Sequence, residues 1–389
     1  MRKVLLRIVF DQLWKLESVG NELLVGYGWA ISFWAVVATV SLFVLWKMSK
    51  DIGQVFSSLI FWSLIPTAIA LVPVLNLPVE ESGIPVFGYG FMLFIAFSTA
   101  TVLAARRARS IDMDPDVIWN LMMWLLVPGL IGARIIYLMQ NHQRVFAQAR
   151  GLGDFLWAAI SLWDGGIVFY GCIIGGGVGL VLYCRRINIR PLQLADVLMP
   201  SLFVGLGFGR IGCFLYGCCF GAACSLPWAV HFPADSMTFN VLAGRWLATG
   251  NPVIEQDGKP IGGELIRPAV DYLETHTNAS AMEALSSIAP DSVFTTIALH
   301  PTQIYSSLLA FSLAFLLAWY FRRRPFEGAV LALACIIYPI NRFVLEIIRD
   351  DEPGRLGTFF TFSQLTSMAL FAAGCGLMFR LHRKHLATK

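Results

Sequence analysis

Long apolar runs dominate this chain, where a soluble domain would show short alternations. A helix crosses the roughly 30 Å hydrocarbon core of a bilayer with about 20 apolar residues. Runs of that kind fall at roughly 23–46, 55–76, 86–105, 117–139, 166–183, 194–217, 302–321, 328–348 and 359–380. The pattern predicts an all-α, polytopic membrane helix bundle of about nine transmembrane helices. One polar stretch, 222–300, interrupts it, and Trp246, Ile254, Ile261 and Tyr272 scattered through it predict a folded loop domain rather than a tether. The opening MRKVLLRIVFDQLWK reads as an amphipathic interfacial helix, because Asp11 and Lys15 break the apolar run that a cleaved signal peptide needs. No heptads, low-complexity tracts or internal repeats stand out.

Charge orients the bundle. Lys47 and Lys50, Arg106, Arg107 and Arg109, Arg185, Arg186 and Arg190, Arg322 to Arg324, and Arg380, Arg383, Lys384 and Lys389 all fall on one side of the expected spans. Basic residues in short loops resist translocation, so that side and the C-terminus are expected in the cytoplasm and the 222–300 stretch outside. An odd number of spans then puts the N-terminus outside, against the basic residues Arg2, Lys3, Arg7 and Lys15. Composition agrees with a membrane protein: 57% of the 389 residues are hydrophobic and 14% charged, against roughly 25% charged in soluble domains. The loop asymmetry accounts for the net charge of +4, which therefore gives no reason to expect nucleic acid.

Ionised side chains are costly inside a bilayer and usually face a cavity or a partner. Arg134 and Tyr137 lie near the outer end of the fourth expected span, and Asp164 and Tyr170 at the start of the fifth. Arg210 lies in the outer half of the sixth. In the eighth, YPINRFVLEIIRDD places Tyr338, Arg342, Glu346 and Arg349 at spacings of four, four and three, on one helical face. The alternating direction of the spans brings Arg134, Tyr170, Arg210, Arg342 and Glu346 to one level, where they are expected to line an outward-opening cavity with positive balance. Such a cavity suits an anion, and planar guanidinium groups suit phosphate oxygens. In a bilayer the anion at hand is a phospholipid headgroup. A self-neutralising ion pair is the plainer reading of Arg342 with Glu346, and an interfacial anchor that of Arg349. His300, in ALHPTQIYSS, is a candidate acid or base.

Gly205, Gly207, Gly209, Gly212, Gly217 and Gly221 strip side chains from the sixth span and its outer end, for close packing or close approach of a ligand. Cys172, Cys184, Cys335 and Cys375 fall in or beside spans as small apolar fillers. Cys213, Cys218, Cys219 and Cys224 cluster, but their spacing matches no paired C-x-x-C zinc pattern, so neither a metal nor a cofactor is expected.

These fragments together resemble the prolipoprotein diacylglyceryl transferase family over roughly residues 84–381. GRIGCFLYGCCFG is similar to the family pattern Gly-Arg-x-Gly-Asn-Phe-x-Asn-Gly-Glu-x-x-Gly at Gly209, Arg210, Gly212, Phe214, Gly217 and Gly221. WDGGIVFYGCIIGG, SLPWAVHFP, HPTQIYSS, YPINRFVLEIIRDDE, GYGFMLFIAF and GARIIYLM resemble further family segments in the family's order. The resemblance implies a bacterial inner-membrane, multi-pass enzyme. Its expected reaction is transfer of a diacylglyceryl group from phosphatidylglycerol to the lipobox cysteine of a prolipoprotein signal peptide, with glycerol phosphate released. It implies catalytic roles for Arg210, Arg342, Tyr170 and Glu346, and substrate binding by Arg134, Tyr89, Tyr338, His300, Gln303, Gly212 and Gly221. The domain organisation expected is an N-terminal extension over 1–83 with two spans, a transferase-like domain over 84–381 with a periplasmic insertion at 222–300, and a basic cytoplasmic tail at 382–389.

The sequence departs from the family pattern at chemically important places. Tyr170 stands where the family has histidine, Cys213 and Tyr216 where it has asparagines, and Cys218 where it has glutamate. Tyrosine, with a reference pKa near 10, needs a neighbouring cation to act as a base. Two other readings therefore stand beside the transferase: a related lipid transferase with a different acceptor, and a non-catalytic phospholipid-binding or thiol-redox membrane protein built on the cysteine cluster.

Overall fold

The computed structural model of the chain describes residues 4–9, 13–19, 22–36, 39, 67, 84–146, 151–161, 166, 168–234, 236–250, 253–261, 265–275, 281–289, 292–350 and 360–387. The expected span at 55–76 apart from residue 67, the one at 23–46 beyond residue 36 apart from residue 39, and Asp164 lie outside these residues. Among the described residues from 88 onward, eleven helices carry the architecture: α1 Gly88–Arg109, α2 Asp116–Phe146, α3 Leu152–Ile160, α4 Phe169–Ile187, α5 Pro191–Tyr216, α6 Met237–Thr249, α7 Ile266–Thr275, α8 Ala281–Ile288, α9 Thr302–Phe321, α10 Ala329–Ile348 and α11 Phe362–Ala387. Among the described residues, six of them (α1, α2, α5, α9, α10 and α11) are long and apolar enough to cross a membrane. With α4, whose 19 residues span about 28 Å at 1.5 Å per residue, they correspond to the seven expected spans from 86 onward. The fold is a polytopic membrane helix bundle. The basic tail continues α11 as helix as far as Ala387.

Two compact units make up the chain, residues 1–94 with 211–303 and residues 95–210 with 304–389. In the first, the N-terminal residues overturn the expected interfacial helix. Val4–Val9 is a strand, β1, followed by β2 (Leu16–Val19) and β3 (Glu22–Gly26), and Ile84–Phe87 forms β4. The sheet order is β2-β3-β1-β4, with β1 parallel to β3 and antiparallel to β4. Branched residues such as Val4, Ile8 and Val9 favour a pleated surface, and β3 and β4 pair with β1 on its two sides, so its backbone groups are satisfied in the sheet. Leu23 to Val25, the expected start of the first span, belong to β3, and helix begins at residue 27.

The insertion is folded, as its apolar residues foretold. In α6, Ser236 caps the N-terminus by accepting from the Phe239 amide at 3.1 Å, and Gly250, at φ +72°, ends it. Strands β5 (Ile254–Gln256) and β6 (Lys259–Pro260) are joined by Asp257-Gly258, both at positive φ, the backbone that a tight hairpin turn requires. Strand β7 (Phe294–Thr296) completes the sheet β6-β5-β7. Phe239, Trp246, Ile254 and Leu285 are fully buried in one core with Ile261, and Tyr272 packs against it.

In the second unit Leu121, Leu194, Val197, Leu317 and Val330 are fully buried, while Ile131 and Ile135 on α2, Ile173 and Ile174 on α4, and Phe315 on α9 are exposed. Apolar surface on the outside of a helix bundle is what lipid tails solvate. Helices α2 and α4 meet backbone to backbone: a Cβ on Gly171, Gly175 or Gly179 would strike the carbonyls of Gly132, Pro128 and Trp124, respectively. Close approach through small residues four apart is the usual substitute for a hydrophobic drive between membrane helices. Asp196 on α5 is fully buried, and its carboxylate accepts from the Gly328 and Leu331 amides at 2.8 and 2.9 Å. It thereby caps the N-terminus of α10, where a negative charge is favoured. Arg107, expected as a loop charge, turns inward and donates to the Val197 carbonyl and to Ser201 Oγ.

Candidate active site

Helix α5 carries Arg210 near its end, and α10 carries Tyr338, Asn341 and Arg342. These four side chains, with Ser306 of α9 and a wall of leucines, line a narrow cavity of about 20 Å³, room for roughly one water. Guanidinium groups so placed suit the oxygens of an anion. Among the described residues Arg210 has neither a hydrogen bond nor an ion pair.

Arg342 is held from two directions. Its Nη1 lies 2.7 Å from Glu346 Oε2, one turn along α10, and its Nη2 donates to Ser363 Oγ at 2.9 Å. The Glu346 carboxylate, which is 5% exposed, accepts from Thr361 Oγ1 at 3.1 Å, and Arg349 Nε lies 3.9 Å from it. Arg349 is therefore a buried neighbour of this carboxylate, not the interfacial anchor that its position suggested. Thr361 and Gln364 form a reciprocal cap on α11: the Thr361 amide donates to Gln364 Oε1, and the Gln364 amide donates to Thr361 Oγ1. The start of α11 thus reaches Glu346 and Arg342 through Thr361 and Ser363. Spacing along α10 gave no access to these residues. Their signal was the T-x-x-Q of TFSQ before an apolar run.

Arg134 does not join this cavity. It is 8% exposed, and its guanidinium donates from Nε to the Ala159 carbonyl at 2.9 Å and from Nη1 to the Gly166 carbonyl at 3.2 Å. It also stacks on Tyr137, 5.2 Å from the ring centre. Tyr170 sits in the first turn of α4, and its side chain lies outside the described residues.

The remaining expected site residues gather in the other unit, around the turn that ends α5. Gly217, at φ +75°, stops the helix: the Cys218 amide donates to the Cys213 carbonyl at 3.0 Å and the Gly217 amide to that of Phe214 at 3.3 Å. This is a Schellman termination. The Cys218 carbonyl accepts from Gln303 Nε2 at 2.6 Å and that of Cys219 from Thr302 Oγ1 at 2.7 Å. Gln303 is 1% exposed, and its Oε1 has no partner among the described residues. Gly221 is a glycine of necessity, since a Cβ there would lie 2.7 Å from His300 Cβ and 2.9 Å from the His300 carbonyl. Gly212 likewise faces Tyr89 and Met92, and the Tyr89 ring meets that of Tyr216 at a tilt of 58°, ring centres 6.3 Å apart. Both glycines serve packing. The thiols of Cys213, Cys218 and Cys219 lie within 4.8 Å of one another. Hydrogen bonding to Cys213 and to Cys219, together with burial, holds the Cys218 thiol well above the usual thiol range.

The sequence pattern described as prolipoprotein diacylglyceryl transferase matches residues 79–380. The chain belongs to that family. Proteins named phosphatidylglycerol--prolipoprotein diacylglyceryl transferase are similar to it: that of Clostridium tetani is 30% identical over 295 residues, covering 76% of this chain and 93% of the relative. That of Rhodopirellula baltica is 30% identical over 427 residues, covering 91% of this chain and 85% of the relative. A second enzyme of that name from Clostridium perfringens is 28% identical and covers 76% and 91%.

Proposed function

We propose that the chain transfers the diacylglyceryl group of phosphatidylglycerol to the lipobox cysteine thiol of a prolipoprotein within the bilayer. The observation that carries this reading is Arg210, a guanidinium with no charge partner among the described residues, lining one cavity with Arg342. Family membership sets the reaction class. The thiol loses its proton, its sulfur bonds to the glycerol carbon, the bond from that carbon to the phosphate oxygen breaks, and glycerol phosphate leaves with the electron pair.

Cations on the departing phosphate lower the barrier to that step. We assign this role to Arg210 and Arg342, with Glu346 fixing the direction of the Arg342 fork. Tyr338 lines the same cavity and is assigned to the headgroup. Tyr170, where the family pattern has histidine, is assigned to the thiol proton. Tyr89, His300 and Gln303 are assigned to the peptide side of the reaction, and Arg134 to holding the backbone at Ala159 and Gly166. The orientation that goes with this reading has the end of α11 in the cytoplasm and the 222–300 insertion in the periplasm, within a transferase domain spanning 84–381 and preceded by an N-terminal extension.

Complementation tests it. In a strain depleted of its own prolipoprotein diacylglyceryl transferase, the wild-type gene is expected to restore lipoprotein modification. Arg210→Ala is expected to lower transfer to a lipobox peptide by about 100- to 1,000-fold. Failure to complement, or full activity of Arg210→Ala, overturns the reading.

A further inference from the structure

Three cysteines that the sequence spaces like no metal motif are brought together by the end of a helix. In a Schellman termination the third residue from the helix end and the second beyond it lie side by side, usually as an apolar pair. Here those residues are Cys213 and Cys218. Cys219, itself in the left-handed region at φ +59°, turns the chain so that its sulfur meets the other two. All three are half-buried, and none is in a disulfide among the described residues. The backbone beneath them is fixed, because Thr302 and Gln303 hold the carbonyls of Cys219 and Cys218.

We propose that Cys213, Cys218 and Cys219 form a three-thiolate site for a soft monovalent cation, Cu(I). With metal–sulfur bonds of about 2.3 Å, three donors in a plane stand about 4.0 Å apart. The sulfurs lie within 4.8 Å of one another, so closure needs less than an ångström of movement. Thiolates without imidazole or carboxylate select soft ions. Among the described residues the group has three sulfurs and no fourth His, Cys, Asp or Glu, a donor set that fits a trigonal ion. Binding converts three thiols to thiolates and releases three protons per cation, with no change in oxidation state. The site replaces the expectation that these positions hold no metal.

The test uses the full-length protein, reduced and in detergent under anaerobic conditions, titrated against a chromogenic Cu(I) chelator. One Cu(I) per chain is expected to be withdrawn from the chelator. Loss of outer partners alone weakens metal sites by about 10- to 100-fold, so Cys213→Ser, Cys218→Ser and Cys219→Ser should each weaken binding by about tenfold or more. Cys224→Ser should not. A measurement that needs no variant accompanies it: bound Cu(I) should protect Cys213, Cys218 and Cys219 from alkylation, read by peptide mass spectrometry, while Cys224 still reacts. No stoichiometric withdrawal by the reduced protein, equal binding by the triple serine variant, or no protection from alkylation overturns the proposal. So does a disulfide among the three whose reduction leaves the protein unable to take up Cu(I).

Discussion

Glu346 holds Arg342 from one turn away on the same helix, with 2.7 Å between Oε2 and Nη1. The carboxylate also accepts from Thr361, so its direction is set before any substrate arrives. Glu346→Gln is expected to lower kcat for transfer to a lipobox peptide by about 100-fold, with little change in KM for phosphatidylglycerol, because the substituted residue orients a cation without touching the lipid. Arg342→Lys should not restore activity, since an ammonium cannot reach Glu346 and Ser363 in the two directions that the guanidinium serves. Steady-state kinetics in mixed micelles checks both, and a change confined to KM would count against the positioning role.

Thr361 has two duties, capping α11 and steadying Glu346. Thr361→Ala is expected to cost about 1 kcal/mol of stability, and Thr361→Ser to recover most of it. Thermal unfolding in detergent reads the stability, and the same preparations should show activity falling with alanine and returning with serine.

Gly175 lies where α4 meets the Pro128 carbonyl of α2, and Gly177, two residues on, faces open space. Gly175→Leu is therefore expected to destabilise the protein by about 1–3 kcal/mol through overpacking. Gly177→Ala should be neutral or stabilising by up to about 1 kcal/mol from helix propensity. Melting curves of the pair give the comparison, and equal effects would show that the glycine row is not a packing device.

Trp246 is fully buried at the centre of the insertion, and its indole N–H has no hydrogen-bond partner among the described residues. Its contribution is packing alone. Trp246→Ala is expected to cost about 3–5 kcal/mol and to expose the 222–300 region to protease. Trp246→Phe should cost much less, because it leaves an aromatic ring and removes an unpaired donor. Limited proteolysis with fragment mapping distinguishes them.

Hydropathy read much of this fold and little of its joinery. Each expected span from 86 onward meets a helix, since a run of about 20 apolar residues leaves few alternatives. The insertion's core was visible in Trp246, Ile254 and Ile261, and its hairpin could have been read from Asp257-Gly258. The strands β1 and β3 were not, because six residues such as VLLRIV suit either period and only their partners decide. At the site, helical spacing put Tyr338, Arg342 and Glu346 on one face. Thr361 and Ser363 come from another helix, and no local pattern announces a contact between helices. Arg134 misled for a related reason: charge is legible in sequence, but whether it meets a ligand or a backbone carbonyl depends on the loop beside it. The cysteine spacing did not show which sulfurs meet, because a helix terminus folds Cys213, Cys218 and Cys219 to within 4.8 Å of one another.

The sheet made by β1, β3 and β4 carries a last consequence, for reading topology from charge. Paired strands cannot lie on opposite faces of a bilayer, since an open sheet does not thread hydrocarbon. Residues 4–9 therefore share the face from which β4 enters α1, despite Arg7 in their midst. Basic residues sort to one side when a segment is free to choose. Backbone pairing removes that choice, and a reporter fused ahead of β1 should register the compartment of residue 84.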